Sequence, residues 1–277
     1  MLSASERHYV LQRAYIPEHL VHYFTSISGA EPCLIADYLC YFSEGKLSFI
    51  GYPLGREFEM AALSQALNEA VEKFEPEQVG VISPRSIDVE PLAILKKESD
   101  CYYLLDLEKL KLSKKLRSTL KSAYKRLEVK KGEFGEEHFA LVEEFLRRGI
   151  DESKQGVFEK LESYASRGEA LLLEARQKRE LVAFSIFDFS HGEFAFYMFN
   201  FISRKNYVPG ASDLLLGEFI REAKERGKRY LNLGLGINSG VARFKEKWGA
   251  KRWLKYEFCS YDCELANMVA SYRRMGI

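Results

Sequence analysis

The sequence predicts an α/β protein of two tandem domains, each a mixed, largely antiparallel sheet flanked by helices, and three observations predict it. The first is a repeated order of elements. Two strands, the run Gly51-Tyr52-Pro53-Leu54-Gly55, a helix and a strand in the first half are matched by two strands, the run Tyr207-Val208-Pro209-Gly210, a helix and a strand in the second. The second is spacing: about 155 residues separate the two runs, which suits tandem domains rather than a solenoid. The third is size, because 277 residues, 47% of them hydrophobic, can form one large domain or two smaller ones with a core each. A boundary near Glu136 gives domains 1–135 and 136–277.

Taken in order, a helix follows Pro17. Strands Cys33 to Phe42 and Lys46 to Tyr52 form a hairpin turned at Ser43-Glu44-Gly45. The loop at Pro53 leads into a helix from Glu57 to Phe74, with Met60, Leu63, Leu67, Ala70, Val71 and Phe74 on its core side. Strand Gln78 to Ser83, a linker from Pro84 to Pro91 and strand Cys101 to Leu107 complete the first half. In the second, helices His138 to Arg148 and Val157 to Ser166 precede strands Ala170 to Ala175, Leu181 to Phe189 and Glu193 to Ile202. The aromatics Phe194, Phe196, Tyr197, Phe199 and Phe201 occur on that last strand in a density that suits a central strand packed on both faces.

The next stretch organises the chain. After Pro209 and Gly210, Ser212 is placed to cap a helix whose Leu215, Leu216, Phe219, Ile220 and Ala223 share one face, and Gly227 stops it. Strand Tyr230 to Leu233 runs into the turn Gly234-Leu235-Gly236 and a last helix from Gly240 to Trp248. Both helix N-termini follow flexible turns and offer free N–H groups to an anion. Gly234, Gly236 and Gly240 approach a dinucleotide fingerprint, but the chain that follows is too short for the further strands of a doubly wound sheet.

Charge is unevenly spread. The formal net charge is +1, yet Lys109 to Lys131 holds ten Lys and Arg against the single acid Glu128. At helical spacing Lys114, Arg117, Lys121 and Lys125 form one stripe, opposite Leu116, Leu120, Ala123 and Leu127. Such a stripe without intervening acids repels itself unless an anion offsets it, so it is either a solvated face or a phosphate-facing one. Five cysteines without CxxC spacing predict reduced thiols, and His19 with His22 lacks the further ligands of a metal site, so no metal is expected. No apolar run reaches the roughly 20 residues of a membrane span, and MLSASERHYV lacks a signal-peptide core, which predicts a cytoplasmic protein, at most peripheral to a membrane.

Lys245 draws attention on spacing alone. Val241, Phe244 and Trp248 define the apolar face of the last helix, and Lys245 lies about 40° from Val241 at its border. An ammonium there either snorkels past the core or enters a cleft that holds an oxygen for it. Arg243 and Lys247 point away, towards solvent.

These residues resemble a family. The stretch Arg243-Phe244-Lys245-Glu246-Lys247-Trp248-Gly249-Ala250 is similar to the ending of the double-domain branch of the GNAT fold, which includes the FemAB-type aminoacyltransferases and the catalytic domain of phosphatidylglycerol lysyltransferases. KKLRSTLKSAYKRLEV resembles the basic segment between the halves of those proteins. The resemblance implies two GNAT-like domains, a site in the second, and acyl or aminoacyl transfer from acyl-CoA or aminoacyl-tRNA to an amine or hydroxyl of a small-molecule or lipid acceptor. It further implies Lys245 as the catalytic cation, with the donor held by Tyr207, Gly210, Ala211, Ser212 and Gly234. Lys114, Arg117 and Lys121 of the basic helix would then contact the donor or a tRNA. The run Tyr207 to Ser212 departs from the family's (Q/R)xxGx(G/A): Gly210 is kept, but the first position is tyrosine and Pro209 lacks a donor, which points away from acetyl-CoA itself. No His or Glu stands in a context that names it as a base. The alternative is a non-catalytic module binding a phosphorylated lipid, nucleotide or tRNA. The oligomeric state is not legible in the chain.

Overall fold

The computed structural model describes residues 1–87, 93–147 and 155–263; the end of the linker expected over Pro84 to Pro91, and Arg148, lie outside them. The chain begins with α1 (Ala4–Arg13), where Ser3 and Glu6 cap one another: the Ser3 Oγ accepts the Glu6 N–H and the Glu6 carboxylate accepts the Ser3 N–H. This Ser-x-x-Glu signal was in the sequence, but the helix is too polar to show a periodic apolar face. A 3-10 turn (Pro17–His19) and α2 (Val21–Ser28) follow.

The strand expected over Cys33 to Phe42 is two, β1 (Glu31–Ile35) and β2 (Tyr38–Ser43). Ala36 takes a left-handed conformation (φ 49°) in the two-residue turn Ala36-Asp37 that reverses the chain between Ile35 and Tyr38, and the Asp37 carbonyl accepts the Leu54 N–H at 2.9 Å. Next come β3 (Lys46–Ile50), α3 (Met60–Phe74), β4 (Gln78–Ser83) and the long β5 (Ala93–Asp106). β5 starts well before Cys101, because its polar beginning is held by a neighbouring strand rather than by its own apolar pattern.

The basic helix is α4 (Lys114–Tyr124), capped by Ser113, whose Oγ accepts the Leu116 N–H at 3.1 Å. β6 (Glu128–Lys131) and α5 (Glu136–Leu146) follow, and the single helix expected over Val157 to Ser166 is α6 (Gln155–Glu159) and α7 (Leu161–Ala165), divided at Lys160. The rest is β7 (Ala170–Gln177), β8 (Glu180–Asp188), β9 (Phe194–Ile202), α8 (Ala211–Glu225), β10 (Tyr230–Leu235), α9 (Ser239–Lys247) and β11 (Lys251–Asp262).

Among the described residues the strands form one eleven-stranded sheet in the order β1-β2-β3-β4-β11-β5-β10-β9-β8-β7-β6. The neighbours β3 and β4 are parallel, as are β9 and β10, each pair joined through a helix as parallel strands require. β11 lies between β4 and β5, and β5 runs antiparallel to β10, so strands from both ends of the chain interlock at the centre. Adjacent residues of β5 face opposite sides: Tyr103 belongs to the core that includes Leu116 and Ala123 of α4 and the apolar face of α8, while Tyr102 belongs to the one that includes Val10 and Ile16. Among the described residues no helix is long and apolar enough to cross a membrane.

Candidate functional site in the cleft between β9 and β10

The cleft exists because two parallel strands part. β9 and β10 are in register from Phe194 opposite Tyr230 to Phe196 opposite Asn232, and pairing stops there. Asn232 is the hinge. Fully buried, it donates through Nδ2 to the Tyr15 carbonyl (2.8 Å) and accepts the Gly234 N–H through Oδ1 (2.8 Å). Gly234 then takes φ +73°, and the register of β10 against β5 shifts between Asn232 and Leu235. Beyond that point the strands enclose a cavity of about 690 Å³, within the range of small-molecule sites.

Lys245 lines this cavity and is 2% exposed. Its Nζ donates to the Leu235 carbonyl at 2.5 Å and lies 5.7 Å from the centroid of the Tyr103 ring. Gly234 lies beside it: a Cβ there would sit 3.8 Å from Nζ, an ordinary contact, so the positive φ rather than lack of space is what favours glycine. Burial pushes the ammonium down from the ordinary lysine value to about 7, against the opposing pull of Asp100 and Cys101. Among the described residues Nζ makes one hydrogen bond, so donors remain for an oxygen entering the cavity.

The structure brings Tyr207, Gly210, Ala211, Ser212, Gly234 and Lys245 to this one cavity. Two details differ from expectation. Ser212 does not cap α8: the N-cap is Gly210, the helix starts at Ala211, and the Ser212 Oγ donates to Asn200 Oδ1 at 3.1 Å, across to β9. Lys247 is not simply solvated, because its Nζ meets Asp213 Oδ1 at 2.5 Å and it too lines the cavity. Asp213, in the first turn of α8, also accepts the indole N–H of Trp248 at 3.0 Å. The positive end of the α8 dipole thus faces a carboxylate that Lys247 neutralises.

Lys114, Arg117 and Lys121 do not reach the cavity. They are exposed, on a different side of α4 from the one that meets the loop before α8. That side carries Lys115, Thr119, Ser122 and Arg126, and Arg126 donates to the Pro209 carbonyl at 2.9 Å. The helical phase set by buried Leu116 and Ala123 decides this, since residues one apart point about 100° away from each other.

Gly210, at the N-terminus of α8, lies against Thr119 and Ala123 of α4. Its φ is +88°, and a Cβ would come within 3.2 Å of Thr119 Cγ2 and 3.3 Å of Ala123 Cβ. Gly210→Ala should therefore cost about 1 to 3 kcal/mol of stability and slacken the N-terminus of α8. Urea denaturation of the two proteins at one pH checks this, and equal midpoints would contradict it.

Asn232, Asp213 and Asp100 are site residues that sequence reasoning missed. The Asp100 carboxylate accepts the N–H groups of Gly236 (3.2 Å) and Ile237 (2.7 Å) and so fixes the turn after β10. Asn238 next to that turn caps α9, its Oδ1 accepting from Gly240 and Val241, and this orients Lys245. An Asn before Gly-Leu-Gly was the one local signal available; the other two depend on distant partners.

No protein-family model matches the chain, and no curated protein matches it. Solved structures do. FemX is 10% identical with a TM-score of 0.61, over 93% of this chain and 96% of that one. L-PGS from Bacillus licheniformis is 15% identical with a TM-score of 0.58, over 94% and 91%. A GCN5-related N-acetyltransferase from Kribbella flavida is 9% identical with a TM-score of 0.53, over 94% and 96%. Identities this low speak for architecture alone. The chain has a GNAT-like fold, a largely antiparallel sheet flanked by helices, of the kind seen in FemX and L-PGS.

Proposed function

We propose that the cleft between β9 and β10 transfers an acyl or aminoacyl group from an activated donor, an acyl-CoA or an aminoacyl-tRNA, to an amine or hydroxyl acceptor. The observation that carries this reading is the Lys245 ammonium, buried at a cavity wall that strand splaying opens. The acceptor nitrogen or oxygen attacks the donor carbonyl, the carbonyl oxygen takes up charge, and the ester oxygen or thioester sulfur leaves with the proton that the acceptor gives up. Lys245 Nζ faces that oxygen, where a fixed donor in a dry site stabilises the transition state more than the ground state. The cleft holds the two reactants together, and no covalent intermediate on the protein is needed. Similarity of fold to FemX and L-PGS supports a transferase.

Incubation of the full chain with acyl-CoA and aminoacyl-tRNA pools and an extract of small molecules and lipids, read by mass spectrometry, tests the reading. Transfer should yield an acylated product that is absent without protein. Tight binding with no product would instead make the cleft a binding module.

A further inference from the structure

A second surface is built around Trp253. β4 pairs with β11 only from Glu257 onward, so the start of β11 has an open edge on that side among the described residues. The register of β11 against β5 also slips between Arg252 and Lys255, a bulge that sets two residues opposite one. Trp253 lies in this bulge, 37% exposed. Its ring is near-parallel to Phe194 (6.0 Å between centroids, 22°) and edge-on to Tyr15 (6.0 Å, 70°). Phe194 in turn lies 5.2 Å from Tyr230, so the indole belongs to an aromatic platform.

Three cavities, of about 730, 570 and 570 Å³, meet at this side chain. Lys109, Lys111, Lys251 and Arg252 line one, and Arg56, Arg85 and Lys255 line another. Some of these charges are spoken for: Lys109 pairs with Asp106 at 2.9 Å and Arg56 with Asp37 at 2.9 Å. Lys111, Lys251, Lys255 and Arg85 have no acidic partner among the described residues. The remaining cavity includes Ile237 and Asn238, which also line the Lys245 cleft, so the two regions adjoin.

We propose that this face binds single-stranded nucleic acid, the Trp253 indole stacking on a base and the unpaired lysines and Arg85 meeting phosphates. Lysines on an open strand edge also deter strand addition, but that role does not call for an exposed indole in their midst. A membrane would suit a tryptophan projecting from a convex surface; this one is recessed where cavities converge, a shape that fits a strand with separable bases. The proposal deepens the transfer reading, since a nucleic acid lying here adjoins the Lys245 cleft. Its test is binding and not turnover, so the two readings fail separately.

The chain contains two tryptophans, Trp253 and the buried Trp248, so quenching of the exposed emission reports on this face. A labelled twelve-nucleotide single-stranded RNA is titrated by anisotropy and by quenching, beside heparin and beside vesicles of phosphatidylglycerol and phosphatidylcholine. Trp253→Leu should weaken RNA binding by about fivefold or more, abolish the quenching, leave heparin binding nearly unchanged, and be rescued in part by Trp253→Tyr. Lys251→Gln with Lys255→Gln should weaken both polyanions and lower the slope of log affinity against log salt by about 1.4 for RNA. Lys114→Gln with Lys121→Gln should do little. RNA affinity unchanged in Trp253→Leu, no RNA binding at low salt, loss of binding through the α4 variant alone, or Trp253-dependent binding to vesicles in place of RNA would each overturn the proposal.

Discussion

Lys245→Met should slow transfer by about 30- to 1,000-fold, equivalent to about 2 to 4 kcal/mol of transition-state stabilisation, while leaving the protein folded. Methionine keeps most of the stem that packs beside Tyr103 and removes the charge. Because burial sets the ammonium near 7, the part of the rate that depends on Lys245, wild type minus variant, has a diagnostic pH profile. If the charged form stabilises an oxyanion, that part is largest below about 7 and falls as pH rises through it. A neutral amine acting as base would give the opposite trend.

Stability moves in a linked way. The folded-state value lies below the ordinary 10.5, so charging Lys245 opposes folding; that cost is complete below about pH 7 and fades as pH rises towards 10.5. Wild type should therefore gain stability across that window relative to Lys245→Met, by at most about 5 kcal/mol. At pH 6 the variant should be the more stable of the two. Turnover by the variant equal to that of the wild type would remove Lys245 from the mechanism, and parallel denaturation curves from pH 6 to 10 would show that its ammonium is not buried in solution.

The second large effect concerns Asp188, a fully buried carboxylate at the end of β8, opposite Phe196 of β9 and outside the lining of the cleft. It accepts from His22 Nε2 at 2.6 Å, Tyr164 Oη at 3.0 Å, Ser190 Oγ at 2.5 Å and the Ser190 N–H at 2.9 Å. These contacts tie α2 and α7 to the end of β8. Asp188→Ala leaves several buried donors without an acceptor and should cost about 3 to 5 kcal/mol. Burial alone would raise this carboxyl, but the His22 ring and the Ser190 donors outweigh it and hold it below its ordinary 3.8. Its contribution is therefore present above about pH 3.8 and lost as pH falls through the lower folded-state value. Chemical denaturation at pH 7 and pH 3 should show a large difference between wild type and variant at the first and a smaller one at the second. A variant as stable as wild type at pH 7 would contradict this.

How much of the site could be read from the chain follows from where each partner lies. Gly210, Gly234 and Lys245 carry local signals: glycines in turns that abut helices, and a cation at the edge of an apolar helical face. The Asn232 side chain is decisive for the splay, yet its partner Tyr15 lies 217 positions away. Asp100 fixes the Gly236–Ile237 turn from 136 positions away. The basic stripe on α4 was legible as a stripe, but which side of it meets the Pro209 loop depends on how α4 seats against α8.

By itself the sequence determined most helices and strands, because periodicity, capping residues and turn glycines act within a few residues of one another. Only the tertiary structure decided that β11 inserts between β4 and β5, with Lys251 opposite Leu104 and Tyr261 opposite both Val79 and Ile94. Strand neighbours are chosen by backbone pairing and by the packing of side chains from distant segments, and neither leaves a pattern in the segment itself. The burial of Lys245 and the exposure of Trp253 were settled in the same way, by what happens to pack above each once the sheet is assembled.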